Sequence, residues 1–182
     1  MSETKQLHRR QVLSGAGIVG LGAVLASCAP ATAQQPAATS EYSANMMPGN
    51  VLPTPPTNTN AISVATATLQ GNRLRVRGSY AGLSGPLRNY ATDPVDPPNP
   101  RITSAVHIHQ MAADPAAMPN GPFLFAMTVM MTNANSGTFT GDVTLTDAQR
   151  AALMAGNFYM DIHTTTNRAG EVRGPLTVIQ GS

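Results

Sequence analysis

Three of the four histidines fall in two short segments, Val106-His107-Ile108-His109-Gln110-Met111 and Tyr159-Met160-Asp161-Ile162-His163-Thr164. Both alternate apolar and polar residues, as a half-buried strand does. Side chains two apart on a strand share a face. His107 and His109 are therefore expected to present their rings together, with Met111 joining them if the strand continues. On the second segment Tyr159, Asp161 and His163 share a face in the same way. If the two strands meet, three imidazoles converge on a candidate transition-metal site. Imidazole suits copper and zinc, copper being the first expectation and zinc the alternative, and three rings leave a coordination position open. With Met111 as a soft fourth ligand the site would favour Cu(I). Asp161 could accept a proton from a ligating ring from behind. Glu171 and Arg173 share a strand face, which suits structural hydrogen bonds or ion pairs at least as well as a catalytic role, and Glu171 is expected with Asp161 behind the ligands. The competing reading makes the histidines incidental core or surface residues, and their concentration in two alternating strands weighs against it. Other chemistries find no support: there is no G-x-S-x-G, no phosphate-binding Gly-rich loop, and the single Cys precedes the domain.

The chain that must position these residues has 182 of them, enough for one ordinary domain. Residues 1–27 have the layout of an export signal, in which Lys5, Arg9 and Arg10 precede an uncharged run from Val12 to Ser27. His8-Arg9-Arg10-Gln11-Val12-Leu13-Ser14 is similar to a twin-arginine motif. The run falls short of the ~20 apolar residues of a membrane span and is broken by glycine. Leu25-Ala26-Ser27-Cys28 has the form of a lipobox, which would make Cys28 the lipidated start of the mature chain. Cleavage after Ala31-Thr32-Ala33 is the alternative. An exported protein at the periplasmic or outer face of the cell envelope, tethered through Cys28, is expected. From Cys28 onward 8 Arg balance 8 Asp and Glu, so the charge of +2 belongs to the signal and no nucleic-acid binding is expected. Residues 28–59 are rich in Ala, Pro and Thr and are expected to form a disordered tether.

A domain over residues 60–182 follows. Ile62, Val64, Thr66 and Thr68 share one strand face; Leu74 and Val76 alternate with Arg73, Arg75 and Arg77, a basic stripe read as solvated. Leu87 to Arg101 is a Pro-rich loop placed to shape access to the histidines. Phe123 to Met131 is apolar on both faces, as a central strand would be; its methionines are read as core filling. Thr146-Asp147-Ala148-Gln149 has the form of a capping box opening a short helix. Phe158 to Thr164 and Glu171 to Ile179 are the last strands. The expected fold is an all-β antiparallel sandwich, Greek-key or immunoglobulin-like, with about seven to eight strands and one short helix.

His107-Ile108-His109, Gly121-Pro122, Leu145-Thr146-x-x-Gln149, Ala155-Gly156-x-x-Tyr159-x-x-Ile162-His163-Thr164 and Gly170-Glu171-Val172-Arg173-Gly174 together resemble the CHRD domain, the module named after chordin, from about Ala61 to Ile179. The resemblance implies a fold rather than an activity. Two departures stand out: Asp161 where the family pattern suggests Asn, and the Leu87–Arg101 insertion. A looser similarity is to copper-zinc superoxide dismutase, which orders two His of a His-x-His strand, a late His and an Arg as His107, His109, His163 and Arg173 are ordered here; it implies that an open copper couple without Met111 could act on superoxide, with Arg173 guiding the anion. It lacks here the bridging ligand, the zinc cluster and the disulfide. Three functions follow as expectations: an exported copper-binding or copper-carrying protein, a dismutase-like enzyme, or an adhesion or scaffold module of the cell envelope.

Overall fold

A computed structural model of the chain describes residues 38–114 and 117–180. The export signal, the twin-arginine motif, Cys28 and the start of the tether lie outside the described residues. Strands β1 (Thr39–Met46), β2 (Ile62–Gln70), β3 (Arg73–Ala81), β4 (Val106–Gln110), β5 (Phe123–Ala126), β6 (Thr128–Asn133) and β7 (Ser136–Thr144) precede helix α1 (Asp147–Met154). After it come β8 (Phe158–Ile162), β9 (Val172–Pro175) and β10 (Thr177–Gln180). The strands make two antiparallel sheets, β10-β1-β2-β3-β7-β6 and β5-β4-β8-β9. Their facing sides share one core, to which β2 and β3 contribute Ala65, Ala67, Leu69, Leu74 and Val76, and β4 and β8 contribute Ile108, Phe158, Met160 and Ile162. The arginines of β3 point to solvent, where Arg73 and Arg75 both meet Asp142. The capping box of α1 is formed in both directions between Thr146 and Gln149.

The antiparallel all-β fold with one short helix is as expected, but the described residues hold ten strands. The additional ones have two origins. Thr39–Met46, assigned from composition to a disordered tether, is β1, paired along its whole length with β2 and at its start with β10. Tyr42, Ala44 and Met46 point into the core. A strand with neighbours on both sides satisfies its backbone twice over, so small residues in strict alternation suffice where composition alone suggests no structure.

The other origin is a change of sheet within a strand. Phe123–Met131, expected as one central strand, breaks at Met127 into β5, an edge of the smaller sheet, and β6, an edge of the larger. Glu171–Ile179 breaks in the same way at Leu176 into β9 and β10, at the opposite edges. Both hinge residues are buried, and their amides donate across the corner, Met127 to the Val106 carbonyl (2.8 Å) and Leu176 to that of Phe158 (2.9 Å). A chain that crosses between facing sheets turns an apolar side inward on each leg, so its alternation loses phase and imitates a strand buried on both sides.

Where β9 passes β1, the Met47 amide donates to the Arg173 carbonyl (3.0 Å) and the Arg173 amide to that of Met47 (3.1 Å). Gly174 permits this approach, because a Cβ there would stand 2.3 Å from the Asn45 carbonyl oxygen. Gly174→Ala is expected to destabilise the domain by about 1–3 kcal/mol through overpacking against backbone, read as a lower thermal midpoint. Gly49→Ala, where nothing lies within 4 Å of the added carbon, is the control that should leave it unchanged.

Candidate metal centre

The register of the smaller sheet places the site residues in two rows. His107 on β4 faces Asp161 on β8, which faces Arg173 on β9. One step along, His109 faces Tyr159. Cross-strand partners stand on the same side of a sheet, so all five project away from the core that Ile108, Met160 and Ile162 enter. His163 follows β8 directly, and its amide donates to the Ala105 carbonyl (2.9 Å), holding it beside the start of β4. The half-buried strands expected from alternation are in fact covered on both faces. Tyr90, from the long Pro-rich loop, lies edge-on to His107 and His163, with centroids 5.6 and 6.3 Å apart. Phe123 does the same to His107 and His109, at 5.6 and 6.1 Å.

His107, His109, His163 and Asp161 each bring a ligand atom to one place, all within 4.8 Å of one another. Their exposures are 1, 8, 8 and 1 %. His109 Nδ1 donates to the Gly121 carbonyl (2.8 Å) and His163 Nδ1 to that of Arg168 (2.9 Å). A ring nitrogen facing a carbonyl carries the proton, so in the neutral rings Nε2 is the lone-pair nitrogen. Both Nε2 atoms lie 3.3 Å from Asp161 Oδ1, acceptor against acceptor. Neither they, nor that oxygen, nor either ring nitrogen of His107 has a hydrogen-bond partner. A buried polar atom left so costs about 1–3 kcal/mol, and one cation among them would take both Nε2 atoms, Asp161 Oδ1 and one ring nitrogen of His107. The carbonyls behind His109 and His163 are the supports that orient ligating rings. Gly121 makes the first of these supports possible, since a Cβ there would fall 1.9 Å from the Gln110 carbonyl oxygen.

The charges fit the same purpose. Burial alone would raise the Asp161 carboxyl, but His163 and His109 beside it outweigh burial and hold it well below the usual carboxylate range. Burial, reinforced by its two histidine neighbours, pushes His107 well below the ordinary imidazole value, so it stays neutral with a lone pair to give. Burial also works against charge on His109, yet the Asp161 carboxylate prevails and raises it. Without a metal ion, a proton on His109 is what relieves its contact with Asp161. Burial pushes the Tyr90 phenol up to about 12, so it remains neutral over the site.

Asp161, expected behind the ligands, is itself one of the four. Met111 lies beyond the end of β4 and lines a separate groove with Met118, Tyr159 and Arg173. Arg173 is buried, and its guanidinium donates to Asp161 Oδ2 (3.3 Å), the Pro119 carbonyl (3.1 Å) and Asn120 Oδ1. It also lies 4.5 Å over the ring of Tyr159, which stacks on His109 at 4.9 Å. It thus braces a ligand from each row. The open side of the centre is a cleft of about 230 Å³ that touches all four candidate ligands and is lined also by Arg88, Tyr90, Asn120 and Arg168. Arg173 is not among its lining residues. The individual roles of Arg88 and Tyr90 have no signal in the sequence beyond their place in the access loop.

The model of the CHRD domain matches residues 42–176. The chain belongs to the CHRD domain family. The matched region opens inside β1 and closes at Leu176, so both sheets belong to it. No curated protein and no solved structure matches the chain.

In this CHRD domain Glu171 serves the fold and does not touch the imidazoles. Its carboxylate is fully buried and accepts from Thr59 Oγ1 (2.5 Å), the Ser84 amide (2.6 Å), Ser84 Oγ (3.0 Å) and Thr164 Oγ1 (2.6 Å). It thereby ties two loops to the residue after His163. Burial alone would raise its carboxyl, but the donors from Thr164, Thr59 and Ser84 prevail and lower it. A lowered carboxyl contributes stability above its unfolded value of about 4.3, and that contribution is lost as pH falls through the folded value. Glu171→Gln would set an amide N–H against one of these donors, and is expected to cost about 1–3 kcal/mol at neutral pH. Denaturant titrations across the acid range should show the variant losing less stability on acidification than the parent.

Proposed function

We propose that this CHRD-domain protein is an exported metal-binding protein that holds one transition-metal ion between His107, His109, His163 and Asp161. The observation that carries the reading is the convergence of buried, unpartnered ring nitrogens on an unpartnered carboxylate oxygen. Copper is the proposed ion, since it leads the divalent first-row series at nitrogen and oxygen sites, and zinc accepts the same donors. A carboxylate where a thioether was expected makes the set harder, which favours Cu(II) over Cu(I). His107, His109 and His163 supply the imidazole ligands, Asp161 the anionic one, and Arg173 keeps Asp161 and Tyr159 in place.

Metal analysis of the purified mature protein is expected to find one ion per chain, and His107→Ala to lose it. Addition of Cu(II) at about a hundred times its dissociation constant should raise the stability of the parent by about 2.7 kcal/mol. His107→Phe, which removes two unpartnered buried nitrogens, should fold at least as well without metal and show no such rise. A parent protein that takes up no stoichiometric ion and gains no stability from copper or zinc would rule the reading out.

The export half of the proposal is supported by the twin-arginine motif and the lipobox ending at Cys28. Among the described residues no helix is long and apolar enough to cross a membrane. Cell fractionation should find the protein in the membrane pellet and Cys28→Ala in the soluble fraction. An unchanged distribution would favour cleavage after Ala33.

A further inference from the structure

We infer that the cleft in front of the imidazoles binds a small anion, held by the ion's remaining coordination position, the Asn120 amide nitrogen and the Arg168 guanidinium. The inference rests on the metal reading above and names what that site would take. The cleft touches all four ligands, so one side of a bound ion faces into it. Its volume of about 230 Å³ is below the roughly 300–1,000 Å³ of sites for drug-sized molecules, which limits the ligand to a few atoms.

Charge decides the sign of the ligand. Arg88 and Arg168 share one carboxylate, that of Asp93, which leaves one positive charge at the mouth. Asp161 is matched by Arg173, and a divalent ion would add two more charges of the same sign. A buried site with that excess draws anions in.

The donors are divided between fixed and free. Arg88 is fully engaged: its Nε donates to the Asp93 carbonyl (3.0 Å), Nη1 to that of Arg168 (3.2 Å) and Nη2 to that of Pro94 (2.8 Å). It supplies a fixed charge. Arg168 has an exposed side chain bound through Nη2 to Asp93, and its other N–H groups have no acceptor among the described residues. Arg173 takes Asn120 Oδ1, which turns the Nδ2 end of that amide away from the arginine and leaves it as a donor on the cleft wall. Two available donors, a fixed guanidinium and a coordination position suit a monovalent anion such as a small carboxylate or azide better than a neutral molecule.

Azide is the probe for the test. Protein loaded with one Cu(II) per chain is titrated with azide and followed by its charge-transfer absorption and electron paramagnetic resonance. A saturable new band is expected. Asn120→Asp keeps the acceptor for Arg173 but replaces the free donor with negative charge, and Arg168→Gln removes an exposed charge. Each is expected to weaken azide binding by about tenfold without changing copper stoichiometry. Copper held at one per chain with no azide band, or both variants binding azide as the parent does, overturns the anion site and leaves the metal reading standing. Failure of the parent to hold copper overturns the anion site, and failure to hold zinc as well overturns the metal reading with it.

Discussion

One buried carboxylate oxygen, Asp161 Oδ1, stands 3.3 Å from two imidazole nitrogens that have lone pairs to offer in their neutral forms. Such a contact is tolerable only with a positive charge between the partners, either a proton or a metal ion. The surroundings are arranged around that demand. Backbone carbonyls turn His109 and His163 so that their Nε2 atoms face inward, Arg173 balances the other carboxylate oxygen, and Tyr90 and Phe123 keep water from reaching the rings freely. A proton relieves one contact at a time. An ion would relieve both at once and take one ring nitrogen of His107 as well.

The fold serves this centre by making one small sheet that is covered on both sides. Four strands have their core side closed by the larger sheet, and on their other side Tyr90 of the Leu87–Arg101 loop covers the histidines while Pro119 and Asn120 meet Arg173. Changes of sheet at Met127 and Leu176 join the two layers at opposite edges, so β4 and β8, which bear the ligands, are the inner strands of the smaller sheet. Inner strands are hydrogen-bonded on both sides, which fixes the spacing of His107, His109 and Asp161 more firmly than an edge would. Glu171 secures the turn after His163 from the far side.

Membership of the CHRD family accounts for the two sheets, and the metal chemistry must be argued from this chain's own residues. Asp161 offers the one carboxylate of the candidate centre, and the Leu87–Arg101 loop carries Tyr90, which lies edge-on to His107 and His163, and Arg88, which lines the cleft.

Period-two alternation by itself determined that His107 and His109 share a face and that Asp161 and His163 share another, because strand geometry leaves no other choice. It also determined the all-β class, and the Thr146–Gln149 capping box marked the helix, since both signals are local. Only the tertiary structure decided that the two histidine strands are neighbours in a register that sets His107 opposite Asp161, that the Asp161 carboxylate stands among the imidazoles while Met111 lines another groove, and that Arg173 holds that carboxylate. Those outcomes depend on which strands pair and in what register, as His107 does with Asp161, and on where a chain changes sheets, and no local pattern encodes either. The same limit hid β1: Thr39–Met46 is short of large apolar groups and becomes a strand because β2 and β10 lie on either side of it.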